Sequence, residues 1–321
     1  MGPMHENIIL HNPGSRRAAR AARDLRALLS SAGSTAGRSF RWVAIRDLGE
    51  LEAIPERMII VGGDGTINAA ATWLESRGES CPLAVIPAGT GNNLARGFGI
   101  PLKLEEALKI ALHGREIRPL DAVLYHAGSA RAGAGGGKRL MVQIAALGFP
   151  ADMAGVYDRL RRNAAFRFLA APAGTHVYRI IGLAGLIARR RLEKTGKDVL
   201  HVRLDLPDEH IEEPALALLF CNAKSLGGNF FPGPLARVDD GLLDICLIRA
   251  GTGMGHLKLF RRVAKGTHLS LEAAVIYRQT RGPVDVELSA PGRLLADGDL
   301  RVESSRYRFE VLPGRFEVVV A

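Results

Sequence analysis

From Met58 the chain runs Met-Ile-Ile-Val, then Gly62-Gly63-Asp64-Gly65-Thr66-Ile67-Asn68, then into alanines. An apolar run that stops on paired glycines reads as a buried strand, and Ala69 to Leu74 beyond the polar stretch reads as a helix. The stretch is a strand, a tight turn and a helix N-terminus. Glycines let a ligand come close to the backbone there, and the free N–H groups of a first helical turn favour an anion, most often a phosphate. Asp64 makes the turn unusual. A carboxylate among phosphate-binding amides repels a bare phosphate unless a metal ion or a protonated hydroxyl lies between them, which favours a site where phosphate is transferred. The plain alternative is a Gly-Gly-Asp-Gly turn with no ligand at all.

Two further loops weigh against that alternative. A second apolar strand, Leu83 to Ile86, leads into Pro87-Ala88-Gly89-Thr90-Gly91-Asn92-Asn93-Leu94-Ala95-Arg96, and the first strand, Ile8 to Leu10, leads into Asn12-Pro13-Gly14-Ser15. In an open α/β sheet, loops at the carboxyl ends of parallel strands form the ligand crevice.

Together these loops resemble the catalytic domain of the diacylglycerol kinase family, which includes bacterial soluble lipid kinases and the sphingosine and ceramide kinases. Gly-Gly-Asp-Gly is shared with NAD kinases, whereas the second loop with its two asparagines is closer to the lipid kinases. Leu226-Gly227-Gly228, Asp239-Asp240-Gly241-Leu242-Leu243-Asp244 and Asp297-Gly298-Asp299 resemble, in order, later landmarks of the bacterial members. The resemblance implies an α/β fold: an N-terminal three-layer nucleotide-binding domain followed by a mainly antiparallel β-sandwich. It also implies transfer of the γ-phosphate of ATP, with Mg²⁺, to the hydroxyl of a membrane lipid such as a diacylglycerol or a sphingoid or ceramide-type lipid.

Phosphoryl transfer to an alcohol needs a cradle for the donor phosphates, a divalent ion and a carboxylate that receives the alcohol proton. The cradle candidates are Gly62, Gly63, Asp64, Gly65, Thr66, Ile67 and Asn68, with the Thr90 hydroxyl and the Asn12 amide; for Asn12 a turn role is equally open. Mg²⁺ asks for oxygen ligands, and Asp64, Asp121, Asp240, Asp297 and Asp299 are the carboxylate pool. The resemblance sorts that pool. Asp240 matches the aspartate that binds a structural Mg²⁺ in relatives, with backbone carbonyls at positions matching Arg237 and Leu242. The relatives' Asp-Gly-Glu, whose last acid is the proton acceptor, stands here as Asp297-Gly298-Asp299. Asp is one methylene shorter than Glu, so Asp299 must sit closer or act through a water, with Asp297 as the reserve base. Two other readings stay open: an NAD kinase-like phosphotransferase on a soluble substrate, and an inactive nucleotide- or lipid-binding protein.

Strand–loop–helix alternation occupies residues 1–126. It gives way at the Gly/Ala/Ser stretch from Ala127 to Gly137, read as a mobile loop at a boundary, to strands with turn punctuation over 127–306, interrupted by a helical insertion at 150–192. The candidate strands there are Met141 to Ala146, Val199 to Leu206, Ala215 to Phe220, Leu243 to Ile248, Ala273 to Tyr277, Val284 to Leu288 and Arg306 to Leu312. The end of the chain, 307–321 with Phe316 to Val320, can return to the first domain. The chain of 321 residues has ordinary globular composition, and its net charge of +10 favours an anionic partner. Aromatic residues make up only 6%, with no aromatic-basic interleaving, which argues against a nucleic-acid stacking platform. Three scattered cysteines, no signal-like N-terminus and no run of apolar residues long enough to span a bilayer point to a reduced, cytoplasmic protein that meets a membrane from the side, with a homodimer left open.

From Arg159 to Arg191 the insertion holds eight arginines and no acidic residue, interleaved with apolar side chains. An arginine-rich helix with an apolar face can lie in an anionic interface; the other reading is a core face with solvated arginines. If the interface reading holds, changing Arg189, Arg190 and Arg191 to Ala weakens binding to anionic vesicles by about 1 kcal/mol per residue, and salt weakens it steeply. Vesicle co-sedimentation with the triple variant checks this; unchanged binding leaves the insertion as ordinary structure.

Overall fold

The computed structural model describes residues 7–31, 40–128, 137–160, 162–163, 182, 184–185, 199–226, 230–250 and 256–321. The loop expected over Ala127 to Gly137, the arginine-rich insertion and Gly227-Gly228 therefore lie wholly or largely outside the described residues.

The first unit is a parallel sheet of β1 (Asn7–His11), β2 (Phe40–Ala44), β3 (Met58–Gly62) and β4 (Pro82–Pro87), in the order β4-β3-β1-β2. β3 is buried at every residue, as an apolar strand covered on both faces must be. Helix α1 (Arg16–Ser31) turns Ala18, Ala22 and Leu25 inward and leaves Arg16, Arg17, Arg20 and Arg23 exposed. Helix α2 (Asp64–Arg77) starts five residues earlier than Ala69, because the polar part of the glycine turn is itself the first helical turn. Its end is set by Gly78, whose left-handed backbone (φ 68°) returns an N–H to the carbonyls of Leu74 and Glu75. Helices α3 (Asn93–Gly97) and α4 (Leu104–His113) follow β4.

The rest of the chain builds a mixed and mainly antiparallel assembly: β5 (Glu116–Ala127), β6 (Arg139–Met141), β7 (Ile144–Gly148), helix α5 (Phe149–Leu160), β8 (Leu200–Asp205), β9 (His210–Cys221), β10 (Leu243–Arg249), helix α6 (His256–Ala264), β11 (Val275–Thr280), β12 (Val284–Ala296) and β13 (Asp299–Val320). Its sandwich core packs Val123, Tyr125, Leu218, Phe220, Val286 and Phe309, with the Phe220 and Phe309 rings stacked 3.8 Å apart. Cys81, Cys221 and Cys246 are all buried free thiols. No helix among the described residues is long and apolar enough to cross a membrane.

Several strands differ from their expected limits; Ala215 to Phe220 begins at His210, and Val284 to Leu288 runs on to Ala296. Arg306 to Leu312 and Phe316 to Val320 are one strand: β13 pairs with β12 along its first half and antiparallel with β5 along its second, the register shifting between Leu312 and Phe316. Its last residues also join the parallel layer, Glu317 and Val318 lying beside Pro82 and Leu83. Met141 to Ala146 is not one strand but two, β6 and β7, broken at Val142 and Gln143, whose amide N–H groups turn out of the ladder toward a carboxylate. The strand expected from Ala273 begins at Val275, because Leu271 to Ala274 form a hydrogen-bonded turn.

Candidate functional site

β1, β3 and β4 end side by side, so the three loops noted in the sequence meet at one edge of the sheet. Each glycine of the central turn has its own reason. The Thr66 side chain folds back over Gly62, where a Cβ would stand 2.3 Å from Thr66 Oγ1. Gly63 meets Gly89 of the neighbouring loop backbone to backbone, and a Cβ on Gly63 would lie 2.7 Å from the Gly89 Cα. The Ala88 N–H donates to the Gly62 carbonyl at 2.8 Å and ties the same two loops. Only Gly65 is exposed with open space around it, and Thr90 is exposed on the facing loop. The turn is therefore open to solvent at Gly65 and Thr90, while Gly62, Gly63 and the buried Thr66 shape it. The Thr66 and Ile67 amides are already taken by the Gly63 carbonyl, at 2.9 and 3.2 Å.

Asp64 does not point away from the protein. Its two carboxylate oxygens accept the N–H groups of Asn93 and Leu94, each at 3.1 Å, and so cap α3 from the adjacent loop. Burial pushes its carboxyl up, and those backbone amides pull it down. Asn92 closes the same loop in the left-handed region (φ 52°), its Oδ1 accepting the Gly89 N–H at 2.8 Å. Asn12 Oδ1 accepts the Gly14 N–H at 3.0 Å, so its side chain makes the turn that the sequence left as one of two options.

The acidic triplet is a two-residue hairpin. Asp297 (φ 48°) and Gly298 (φ 88°) both have positive φ, and Ala296 pairs with Asp299, which is the turn that links tightly twisted antiparallel strands. The Asp297 side chain folds inward. Its Oδ1 accepts the N–H groups of Gln143 (3.0 Å) and Ile144 (3.1 Å), and its Oδ2 accepts Val142 N–H (2.8 Å) and Asn68 Nδ2 (2.5 Å). Burial pushes its carboxyl up to about 6 against the pull of these four donors. A carboxylate has about four acceptor sites, so Asp297 has none left for a substrate proton. Asp299 is the opposite case: its side chain is 73% exposed and touches Arg301 Nη2 at 3.3 Å.

Asn68, placed in the phosphate cradle from the sequence, thus reaches from α2 to the acid hairpin. The residues missed in the sequence are those around it. Asn93 Nδ2 donates to Gln143 Oε1 at 3.2 Å, and Asn222 Nδ2 bridges the carbonyls of Val142 (2.9 Å) and Asp121 (3.0 Å). Asp121 in turn accepts the Gly241 N–H at 2.7 Å and the Gly314 N–H at 2.6 Å, and burial raises it. Gln143, at the break between β6 and β7, and Asn222, just past the end of β9, are single polar residues bordering apolar strands; their one signal in the sequence is that position.

The proposed metal ligands lie at the far end of this network. Asp240 Oδ1 accepts the Leu242 N–H at 3.0 Å, and Arg237 pairs its side chain with Asp239 at 3.1 Å. Asp239 also binds Arg118; burial pushes Asp239 up, but the two arginines outweigh it and hold the carboxyl below the usual range. Among the described residues no three His, Cys, Asp or Glu side chains converge. One carboxylate and two carbonyls on a turn anchored by Asp121 are nevertheless hard oxygen donors of the kind Mg²⁺ takes.

A parallel nucleotide-type sheet with a glycine turn, joined to a β-sandwich, is the fold of the diacylglycerol and NAD kinases. A solved diacylglycerol kinase structure from Bacillus anthracis superposes with a TM-score of 0.66 at 15% identity, over 100% of this chain and 98% of that one. Yeast NADH kinase superposes with a TM-score of 0.54 at 10% identity, over 98% and 83%. Residues 7–124 match the diacylglycerol kinase catalytic domain, and residues 187–320 match the YegS C-terminal NAD kinase beta sandwich-like domain. The chain is 31% identical to the diacylglycerol kinase of Mycobacterium tuberculosis over 245 residues, 76% of this chain and 70% of that protein. It is 29% identical over 264 residues to a protein of Pseudomonas aeruginosa named as a YegS-like lipid kinase, 81% and 75% of the two chains. The chain belongs to the diacylglycerol kinase family.

The two acids of the hairpin separate by experiment. In Asp297→Asn one oxygen replaces two, so about two of the four N–H donors face an amide NH₂, and an unsatisfied buried donor costs about 1–3 kcal/mol. Denaturant unfolding at neutral pH is expected to show a loss of at least about 2 kcal/mol. A variant as stable as the parent removes Asp297 from its structural role.

Proposed function

We propose that the protein is a lipid kinase that transfers the γ-phosphoryl group of ATP to the hydroxyl of a membrane lipid. The single observation that carries this reading is the Asn68–Asp297 hydrogen bond, which ties the phosphate-turn helix to the acid hairpin, so that donor and acceptor groups share one rigid frame. The triphosphate lies over Gly65 and Thr90. The lipid hydroxyl gives its proton to the Asp299 carboxylate as its oxygen attacks the γ-phosphorus, and the bond to the β–γ bridging oxygen breaks, releasing ADP. Asp297 holds Asp299 in place through the hairpin and takes no proton. Asp240, with the carbonyls of Arg237 and Leu242, would hold Mg²⁺, which would stabilise that turn. The acceptor is reached by lying against the membrane, where the net charge of +10 favours anionic lipid.

Phosphorylation of a membrane lipid extract with labelled ATP, with mass identification of the product and NAD as a parallel acceptor, tests the reading; labelled NAD and no labelled lipid overturns it. For the base, Asp299→Asn lowers single-turnover phosphoryl transfer by about 10² to 10⁴ while nucleotide affinity and stability stay near wild type. Asp299→Glu retains substantial activity. An Asp299→Asn variant with wild-type transfer rate removes Asp299 as the proton acceptor.

A further inference from the structure

We propose that the exposed basic stripe of α6 docks the protein on an anionic lipid surface, and that the phosphorylated product of the reaction is itself a ligand of that stripe; the choice of lipid as partner rests on the kinase reading above. Helix α6 has two sides. Leu259 and Val263, four residues apart, are buried in the layer that also holds Leu219 and Cys246. Lys258, Arg261 and Lys265, at spacings of three and four, are exposed on the other side, with Arg262 half-buried beside them. Lys265 continues the helical pattern, its N–H donating to the Arg261 carbonyl at 3.2 Å.

A helix face that merely meets water commonly pairs its charges with acids three or four residues away. Here there are none: from Ile245 to Leu271 the chain contains no Asp or Glu. Acids elsewhere on the sandwich are engaged by other arginines, Glu209 by Arg278 and Glu213 by Arg249. Helix α1 also exposes arginines, but Asp24 stands 3.8 Å from Arg20 and Arg26 lies over the Trp42 ring. α1 moreover covers the parallel layer, whereas the layer under α6 includes Leu295 and Leu300, which flank the acid hairpin. The stripe therefore lies on the flank of the sandwich that leads to Asp299. Because Leu259 and Val263 are committed to the core, α6 has no apolar side to sink into a bilayer, and its attraction is electrostatic and screened by salt. Phosphorylation turns an uncharged hydroxyl lipid into a phosphomonoester with about two negative charges near neutral pH. Each turnover on a neutral bilayer thus adds charge of the sign that α6 binds.

The test measures co-sedimentation of the full chain with phosphatidylcholine vesicles doped with diacylglycerol or with an equal amount of phosphatidic acid. The wild type is compared with Lys258→Gln/Arg261→Gln/Lys265→Gln, and with Arg17→Gln/Arg20→Gln/Arg23→Gln on α1, which removes the same charge. Thermal unfolding first shows each to be folded, and the single reversal Arg261→Glu serves as an independent variant in the same sense. The wild type is expected to bind the phosphatidic acid vesicles at least about tenfold more tightly than the diacylglycerol vesicles, with salt and the α6 changes each erasing that preference and the α1 changes leaving most of it. An α6 variant within twofold of wild type on phosphatidic acid vesicles overturns the docking face. So does an equal loss in the two triple variants, which leaves net charge alone as the cause, and so does a wild type with no preference for the anionic vesicles. Binding of RNA that depends on α6, with both vesicles left alone, assigns the stripe to a different partner and overturns the proposal as well. A wild type that docks through α6 yet phosphorylates no lipid removes the kinase reading and leaves the docking face, whereas lipid turnover with unchanged vesicle binding by the α6 variants removes this inference alone.

Discussion

The inward-turned carboxylate of Asp297 is the point on which the two halves of the molecule depend. A buried charge is costly unless every lone pair is satisfied, and here three consecutive backbone amides and one side-chain amide do so. Those amides become available only because the strand expected from Met141 to Ala146 is interrupted at Val142 and Gln143. The interruption looks like a defect in the ladder when seen from the sheet alone. Seen from the hairpin, it is the socket into which the acid turn plugs. From the socket, polar contacts run outward through Gln143 to Asn93 and through Asn222 to Asp121 and the Gly241 turn.

At the opposite edge the constraint is steric. Gly63 and Gly89 bring two loop backbones closer than any side chain permits, and Asp64 pins the second loop by capping α3. The glycine turn is thus rigid on the side that faces the neighbouring loop and open on the side of Gly65. Rigid loops with one open face suit positioning, which is most of what phosphoryl transfer asks of a protein.

Local patterns made much of this legible in the sequence. An apolar run broken by glycines marks β3, and the Ala/Arg/Leu periodicity marks α1, because burial on both faces and burial on one face leave distinct spacings. The three loops and the family they resemble were legible for the same reason: each is a continuous stretch. What was hidden is long-range. Nothing near Asn68 tells that its amide spans the molecule to residue 297, and nothing near Asp64 tells that its carboxylate caps a helix on the next loop. The Asp297-Gly298 pair carried two messages at once, since the residues that suit a tight hairpin are also those of an acidic motif; only the direction of the side chain separates them. The helix at Asp64 began earlier than its alanines suggested because tertiary packing of Thr66 over Gly62 supplies what helix propensity lacks there.

β13 has a consequence for how the chain comes together during synthesis. Its last residues pair with β4 and with the start of β5, so the parallel layer, although built almost wholly from residues 7–87, keeps an open flank until Glu317 and Val318 have been synthesised. Until then β4 offers unpaired backbone groups to any passing strand. The nucleotide-type layer is therefore not an autonomous folding unit that a sandwich was added to. It is half of a structure whose closing stave, β13, lies more than two hundred residues further along the chain, and whichever half collapses first must wait, partly unzipped, for the other.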